Sequence, residues 1–235
     1  MLSINGMRWY MAIALDCNSM VVDTMSWRGM VTHEKQKNGR VKIVYRHTKH
    51  CLNGPAVNHD SGTKKWWVDG KKHRLDGPAA EYTYGDKEWW VGGKRHRLDG
   101  PAIVHVNRSE EWWVNGELHR LDGPAAEYAD GTKEWWAYGQ RHRLDGPAVE
   151  YPNGSTVWYV NGKLHRLNGP AIERANGRVG WYVNGKRHRL NGPAVKEADG
   201  DQSWWVDDQL HRLDGPAVER AIGRQEWWIA GVRQK

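Results

Sequence analysis

The chain has 235 residues, with 16 Trp, 27 Gly and no Phe, and single large rings between turn residues favour short strands over long helices. The net charge is +7, but residues 1–49 hold 8 basic and 3 acidic residues, whereas residues 50–235 hold 27 and 25. The longer part therefore alternates in sign and lacks the basic excess that would neutralise phosphates along a nucleic acid.

Residues 1–49 differ in character from the rest of the chain and include all six Met residues. We interpret them as an N-terminal capping segment and partly degenerate repeat, in which residues 38–45 resemble half of a hairpin. A cap is expected because an uncovered sheet edge invites aggregation. The alternative is that the Met-rich part forms an adaptable binding surface.

Two cysteines, Cys17 and Cys51, are too few for a disulfide framework. The opening residues carry a short apolar stretch without a small-residue cleavage pattern, and the sequence has no run of about 18 apolar residues to span a bilayer. We therefore expect the protein to be cytoplasmic, that is, intracellular.

Residues 50–235 consist of eight tandem copies of a 23-residue unit, without an insertion. Every copy contains an Asp/Asn-Gly-Pro-Ala turn, as at 76–79, and most contain two further turn signals, as at 153–154 and 161–162. Asn-Gly between apolar pairs is a strong hairpin signal. The copies begin at His50, His73, His96, His119, His142, His165, His188 and His211.

Two β-prone segments lie between the turns of each copy, and the second contains two adjacent aromatic residues that must point to opposite faces of a strand. We predict that the first aromatic residue is buried together with the invariant Ala and Leu positions, and that the second lies on the wetter face. The predicted buried ladder is Trp66, Trp89, Trp112, Trp135, Trp158, Trp181, Trp204 and Trp227.

Two paired strands per copy predict an all-β fold, an elongated repeat array of antiparallel β-hairpins in a twisted single-sheet ribbon. Because each copy has three turn clusters, a three-sided β-solenoid with one repeat per rung is the alternative.

The array resembles MORN repeats in its 23-residue period and in segments such as Tyr-Ala-Asp-Gly-Thr-Lys at 128–133 and Val-Asn-Gly-Lys-Arg-His at 183–188. It looks like a variant, because Lys-Glu-Trp-Trp and His-Arg-Leu-Asp-Gly-Pro-Ala stand where the usual pattern has Tyr-x-Gly and His-Gly-x-Gly. The resemblance implies a scaffold, a dimerisation element or a membrane-apposition module, and no catalytic role.

The regular His and Asp positions do not predict a metal site, a cofactor or an enzyme. Two zinc-ligating nitrogens lie within roughly 4 Å of each other, whereas equivalent His residues of the ribbon would be about 10 Å apart. Asn replaces the Asp of the turn at Asn53, Asn168 and Asn191, so this residue is a turn-forming acceptor and not a proton carrier. We expect the His to support the turns by hydrogen bonding.

The second aromatic residue and the Arg after each repeat His are candidate contact residues, because Trp and Arg are enriched in interface hot spots. The Arg has an alternative structural role as an ion pair or a stack on a ring. Nine residues after each repeat His, aromatic residues in the early copies give way to charged ones, which adds two late Arg residues. The predicted partner-binding residues are Trp90, Trp113, Trp136, Tyr159, Tyr182, Trp205, Arg97, Arg120, Arg143, Arg166, Arg189, Arg174 and Arg220.

These features predict a non-catalytic protein–protein interaction module or scaffold, with a protein partner and a strand-edge homodimer as an accompaniment. An inhibitor of a host enzyme, made by a phage or mobile element, is compatible with this prediction. The alternative is nucleic-acid or nucleotide binding, with Trp and Arg stacking on bases and the basic N-terminal residues on phosphates. Binding to a membrane surface ranks below both.

Overall fold

The computed structural model describes residues 27–35, 41–49 and 54–235, with side chains described from residue 54 onward. Every regular element in these ranges is a β-strand. None of the described residues belongs to a helix that could cross a membrane. The chain divides into two compact units, residues 1–96 and 97–235, and the division falls at the start of a repeat.

The first unit opens with a long hairpin, in which β1 (Trp27–Lys35) pairs antiparallel with β2 (Val41–Lys49). Strand β2 covers much of the segment that the sequence predicts to be half of a hairpin. The rest of the predicted capping segment, including most of its Met-rich part, and the first residues after its predicted boundary at residue 49 lie outside the described residues. Its role as a cap stays a prediction.

Each repeat then forms two short hairpins in succession. In the first described copy, the A-hairpin pairs β3 (Val57–Asn58) with β4 (Lys64–Lys65), and the B-hairpin pairs β5 (Trp67–Val68) with β6 (Lys71–Lys72). A-hairpins of successive repeats also pair with each other, which gives a continuous antiparallel sheet, while the B-hairpins are two-stranded.

The first unit contains one further copy of this pattern. Its A-hairpin is β7 (Ala80–Glu81) with β8 (Lys87–Glu88), and its B-hairpin is β9 (Trp90–Val91) with β10 (Lys94–Arg95). The sheet of this unit has the order β3-β4-β7-β8.

The second unit repeats the pattern six times, and its A-hairpin strands pair antiparallel in chain order. Because the strand pairs of the described repeats are antiparallel, the predicted all-β hairpin array is confirmed, and the stacked rungs of a β-solenoid are not observed there. The A-hairpin strands are β11 (Ile103–Val104), β12 (Glu110–Glu111), β15 (Ala126–Glu127), β16 (Lys133–Glu134), β19 (Val149–Glu150), β20 (Thr156–Val157), β23 (Ile172–Glu173), β24 (Val179–Gly180), β27 (Val195–Lys196), β28 (Gln202–Ser203), β31 (Val218–Glu219) and β32 (Gln225–Glu226). The B-hairpin strands are β13 (Trp113–Val114), β14 (Glu117–Leu118), β17 (Trp136–Ala137), β18 (Gln140–Arg141), β21 (Tyr159–Val160), β22 (Lys163–Leu164), β25 (Tyr182–Val183), β26 (Lys186–Arg187), β29 (Trp205–Val206), β30 (Gln209–Leu210), β33 (Trp228–Ile229) and β34 (Val232–Arg233).

The Asn-Gly and Asp-Gly signals mark the hairpin turns, as predicted. In the B-hairpin turn, Asn161 and Gly162 have φ of 49° and 72°, the left-handed conformation that a two-residue type I′ turn requires. In the A-hairpin loop, the amide of Tyr151 donates to the carbonyl of Ser155 at 2.9 Å, and Gly154 has a φ of 83°. The Asx and Gly residues supply the positive φ that most residues avoid.

The core consists of small residues that lie along the A-hairpins. The Ala after each described Gly-Pro is fully buried, and the next residue is buried as well. Strands of only two residues offer little cover, so Ala, Val and Ile suit the interior better than rings. The fully buried alanines are Ala56, Ala79, Ala102, Ala125, Ala148, Ala171, Ala194 and Ala217.

The prediction of a buried Trp and Leu ladder is wrong, although the burial of the invariant Ala is confirmed. The Trp rings are half-buried on both faces, and Trp227 is 47% exposed. The invariant Leu is almost fully exposed, as at Leu144 with 79%. A narrow sheet cannot close over a whole indole, and the Leu lies in a turn where no strand alternation directs it inward.

Candidate interaction surface

In the pairs named below, the Arg after the repeat His stacks on the first Trp of the aromatic pair, eight residues earlier. The guanidinium carbon lies 3.8 to 4.2 Å from the ring centre, which is the geometry of a cation–π contact. The observed pairs are Arg74–Trp66, Arg120–Trp112, Arg143–Trp135, Arg166–Trp158, Arg189–Trp181 and Arg212–Trp204.

The same guanidinium closes the turn that follows it, and we call this arrangement the arginine clamp. Arg143 donates from Nε to Asp145 at 3.0 Å, and from Nη1 to the carbonyl of Pro147 at 3.2 Å and to Glu150 at 2.9 Å. The hydrogen bond from Arg143 holds the pKa of the Asp145 carboxyl below its usual range. Fixed on three sides, the turn is a rigid support for the residue between Arg and Asp.

That residue is the invariant Leu, which the clamped turn exposes to solvent. The Leu residues of the second unit form what we call the leucine row. Each one is 73% to 80% exposed, although a large apolar side chain would gain free energy by burial. The leucine row comprises Leu98, Leu121, Leu144, Leu167, Leu190 and Leu213.

A groove of about 560 Å³ separates two successive turns of the leucine row. Leu121 and Pro124 line it from one turn, and Leu144 lines it from the next. The half-buried Trp135 and Ala137 lie between them. The groove therefore has exposed apolar rims and an aromatic interior.

The repeat His residues support the B-hairpin of their own copy, which confirms their predicted hydrogen-bonding role. Nδ1 of His142 accepts the backbone N–H of Asn161 at 3.1 Å, and four other repeats repeat this bond. Within residues 54–235, no three His, Cys, Asp or Glu residues come together as a group that could hold a metal ion.

The second aromatic residue makes structural contacts of its own. Trp136 donates from Nε1 to Glu134 at 2.8 Å, and Arg141 donates to the other oxygen of the same carboxylate at 2.8 Å. Glu134 is only 7% exposed. Trp90 and Trp113 repeat this bond, to the Glu two residues earlier.

The other predicted contact residues make contacts of several kinds. Tyr159 packs against the apolar cluster around Val149. A second groove, of about 420 Å³, brings together Tyr182, Trp205 and Arg220. The remaining Arg residues of the predicted set are in ring stacks or turn clamps: Arg174 lies over Tyr151 at 5.6 Å, Arg97 bonds Asp99 at 3.0 Å, and Arg120, Arg166 and Arg189 each donate to a Pro carbonyl.

The structure thus shows a structural role for the arginines that line the turns, and their role in binding stays a prediction. The leucine row was missed by sequence reasoning. Its signal was a Leu retained in every copy inside a run of charged and turn residues, where neither strand nor helix periodicity gives it a buried face.

Comparison with known proteins returns no match, either to a family model or to a curated protein. The assignment of an antiparallel hairpin repeat is therefore based on the strand pairing described above.

Proposed function

We propose that this chain is a non-catalytic protein-interaction module that binds a protein partner through the leucine row. The exposure of Leu at the same point of every repeat of the second unit carries this proposal. Contiguous exposed apolar surface marks interaction sites in folded proteins. A Leu that is about three-quarters exposed, yet recurs in each copy, is best explained by contacts outside the chain.

The arginine clamp supports the proposal because it orders the surface before binding. A side chain held in its bound position costs little conformational entropy on association. In the sequence, each Leu lies directly between a clamp Arg and the Asp or Asn of the Gly-Pro-Ala turn. The partner would therefore meet a preformed surface.

The leucine row favours protein over nucleic acid as the partner. Leu has no ring to stack on a base, and the clamp arginines that flank it are paired with carboxylates. We further propose that the array is a variant of MORN arrays, on the strength of the motifs at 128–133 and 183–188 and of the hairpin pairing.

The test is an affinity capture from nuclease-treated host lysate, with mass spectrometry of the bound proteins. A triple variant, Leu121→Ser/Leu144→Ser/Leu167→Ser, should lose a stoichiometric protein that the wild-type chain retains. Ile222→Ser is the matched control, because Ile222 is 88% exposed and lies outside the leucine row. Retention by the triple variant would contradict the proposal. Nucleic acid bound before nuclease treatment, with no protein after it, would favour the alternative function.

A further inference from the structure

The groove between Leu121 and Leu144 has the form of a peptide-binding site. Both Leu residues are more than three-quarters exposed, whereas Trp135 between them is half-buried and its ring is fixed by Arg143 at 4.1 Å. Aromatic-lined grooves of this kind bind proline-rich segments, whose polyproline II conformation is preformed and costs little entropy to hold.

The charges that this groove presents to solvent are mainly those of carboxylates. The two clamp arginines of this groove are each shared by two carboxylates: Arg120 by Asp122 at 2.9 Å and Glu127 at 3.6 Å, and Arg143 by Asp145 at 3.0 Å and Glu150 at 2.9 Å. The side chains of these two arginines are only 25% and 23% exposed. The side chains of Asp122 and Asp145 are both 85% exposed, so the charge faces a ligand in the groove. A cationic segment is the complementary partner.

The spacing of the grooves selects the conformation of that segment. Each repeat adds two strands to the sheet, so successive turns are about 9.6 Å apart at the usual strand spacing of about 4.8 Å. Every third residue of a polyproline II helix recurs after about 9.3 Å, and every seventh residue of an α-helix after about 10.5 Å. Over three groove spacings the polyproline II helix falls out of register by about 1 Å and the α-helix by about 3 Å. Same-face residues of an extended strand recur after about 6.8 or 13.6 Å and match no groove.

We infer that the leucine-row grooves bind a basic, proline-rich segment of a partner protein in the polyproline II conformation, with one apolar side chain per groove and Lys or Arg facing the Asp residues. This inference rests on the proposed function and specifies the partner's chemistry. The grooves near Asn168 and Asn191, where the turn carboxylate is absent, should contribute less to the recognition of charge.

The experiment titrates the full chain with a fluorescent peptide of five Lys-Pro-Leu triplets and measures fluorescence polarisation. Three comparison peptides have the same composition with irregular Leu spacing, Glu in place of Lys, or an amphipathic helix with Leu at every seventh position. The triplet peptide should bind at least about tenfold more tightly than each of these. Leu121→Ser/Leu144→Ser should weaken it about tenfold, and Ile222→Ser should leave it unchanged.

Asp122→Asn/Asp145→Asn tests the charge separately, since Asn stands at this position in three natural copies of the turn. This variant should weaken binding and flatten its dependence on salt. Equal binding of the irregular peptide, or tighter binding of the heptad peptide, would overturn the inference. The triplet peptide could fail to bind while the wild-type chain captures a host protein that the Leu variants do not. In that case this inference fails and the proposed function stands. If the peptide binds but the Leu variants still capture the same protein from lysate as the wild-type chain, the proposed function fails.

Discussion

The guanidinium of Arg143 lies 4.1 Å from the centre of the Trp135 ring and donates a hydrogen bond to Asp145 at 3.0 Å. One side chain thus ties an aromatic strand to the turn that follows the next His. The side chain of Arg143 bonds the turn on its inner side, and Leu144 faces solvent. In the clamped repeats, the Arg after the repeat His is therefore the reason that the invariant Leu can be exposed in an ordered position.

Replacement of Arg143 by Lys should destabilise the protein although it keeps the charge. Lys has no planar fork with which to stack on Trp135 and bridge Asp145 and Pro147 at once. We expect the free energy of unfolding to fall by about 1 to 3 kcal/mol, from the loss of a stack and of hydrogen bonds at a partly buried site. Urea unfolding followed by Trp fluorescence measures this. Asp145→Asn is the matched control and should cost much less, because three natural copies carry Asn. Equal stability of Arg143→Lys and wild type would contradict the clamp.

Both members of an aromatic pair should matter to stability. Trp135→Ala removes the ring beneath Arg143, and Trp136→Ala leaves the buried Glu134 without one of its donors. Each should lower the free energy of unfolding by about 2 to 4 kcal/mol, in urea titrations run side by side. Trp136→Tyr should cost less than Trp136→Ala, because Tyr occupies this position in two other repeats. A Trp136→Ala variant with wild-type stability would instead support the sequence-based prediction that only the first aromatic residue of each pair is structural and that the second lies on the solvent-facing side.

The hairpins could be predicted from the sequence because their turns have strict local requirements. A two-residue type I′ turn needs positive φ at both positions, and Asn161-Gly162 is a pair that tolerates it. Likewise, the small Ala148 after Gly-Pro could only suit a tightly packed position, and it is fully buried. Local chemistry and strand alternation were sufficient for the fold class.

The exposed surface could not be predicted in the same way, because it depends on contacts between residues far apart in the pattern. The orientation of Leu144 follows from the position of Arg143, and Arg143 is positioned by Trp135, eight residues earlier. The half-burial of the Trp rings follows from the width of the sheet, which no single segment reveals. Hydrophobicity alone therefore assigned Leu to the core.

Acid should destabilise the first unit in part through Glu88. Its carboxylate is 16% exposed and accepts hydrogen bonds from Lys72 at 2.8 Å and from Trp90 at 2.9 Å. Burial raises the pKa of Glu88, but the hydrogen bonds and the charge of Lys72 outweigh it and hold this pKa below its usual range. Because the unfolded chain then takes up protons first, the stabilisation is complete above the unfolded pKa of about 4.3 and is lost as the pH falls through the folded pKa.

Urea midpoints measured from about pH 6 down to about pH 2 test this prediction. The midpoint should fall with pH, and Glu88→Gln should lower it at neutral pH while making the acid slope shallower. Glu81→Gln is the control, since that carboxylate is more exposed, at 36%, and pairs only with Arg74 among the contacts described. An unchanged slope in Glu88→Gln would contradict the role of this carboxylate.

His142 should control the local stability of the next B-hairpin turn. Its Nδ1 accepts the backbone N–H of Asn161 at 3.1 Å and lies 2.8 Å from Oδ1 of the same residue. His142→Ala removes this acceptor, and we expect the Asn161 amide to exchange with solvent about tenfold faster, as follows from a loss of roughly 1.4 kcal/mol in local opening. Hydrogen–deuterium exchange read by NMR measures it amide by amide. His59→Ala should not change it, because His59 lies in an A-hairpin loop of the other unit. Since the side chain of His142 bonds the B-hairpin turn of its own copy, the faster exchange should stay near residues 160–162. Equal acceleration in every repeat would show that the His residues act on the array as a whole.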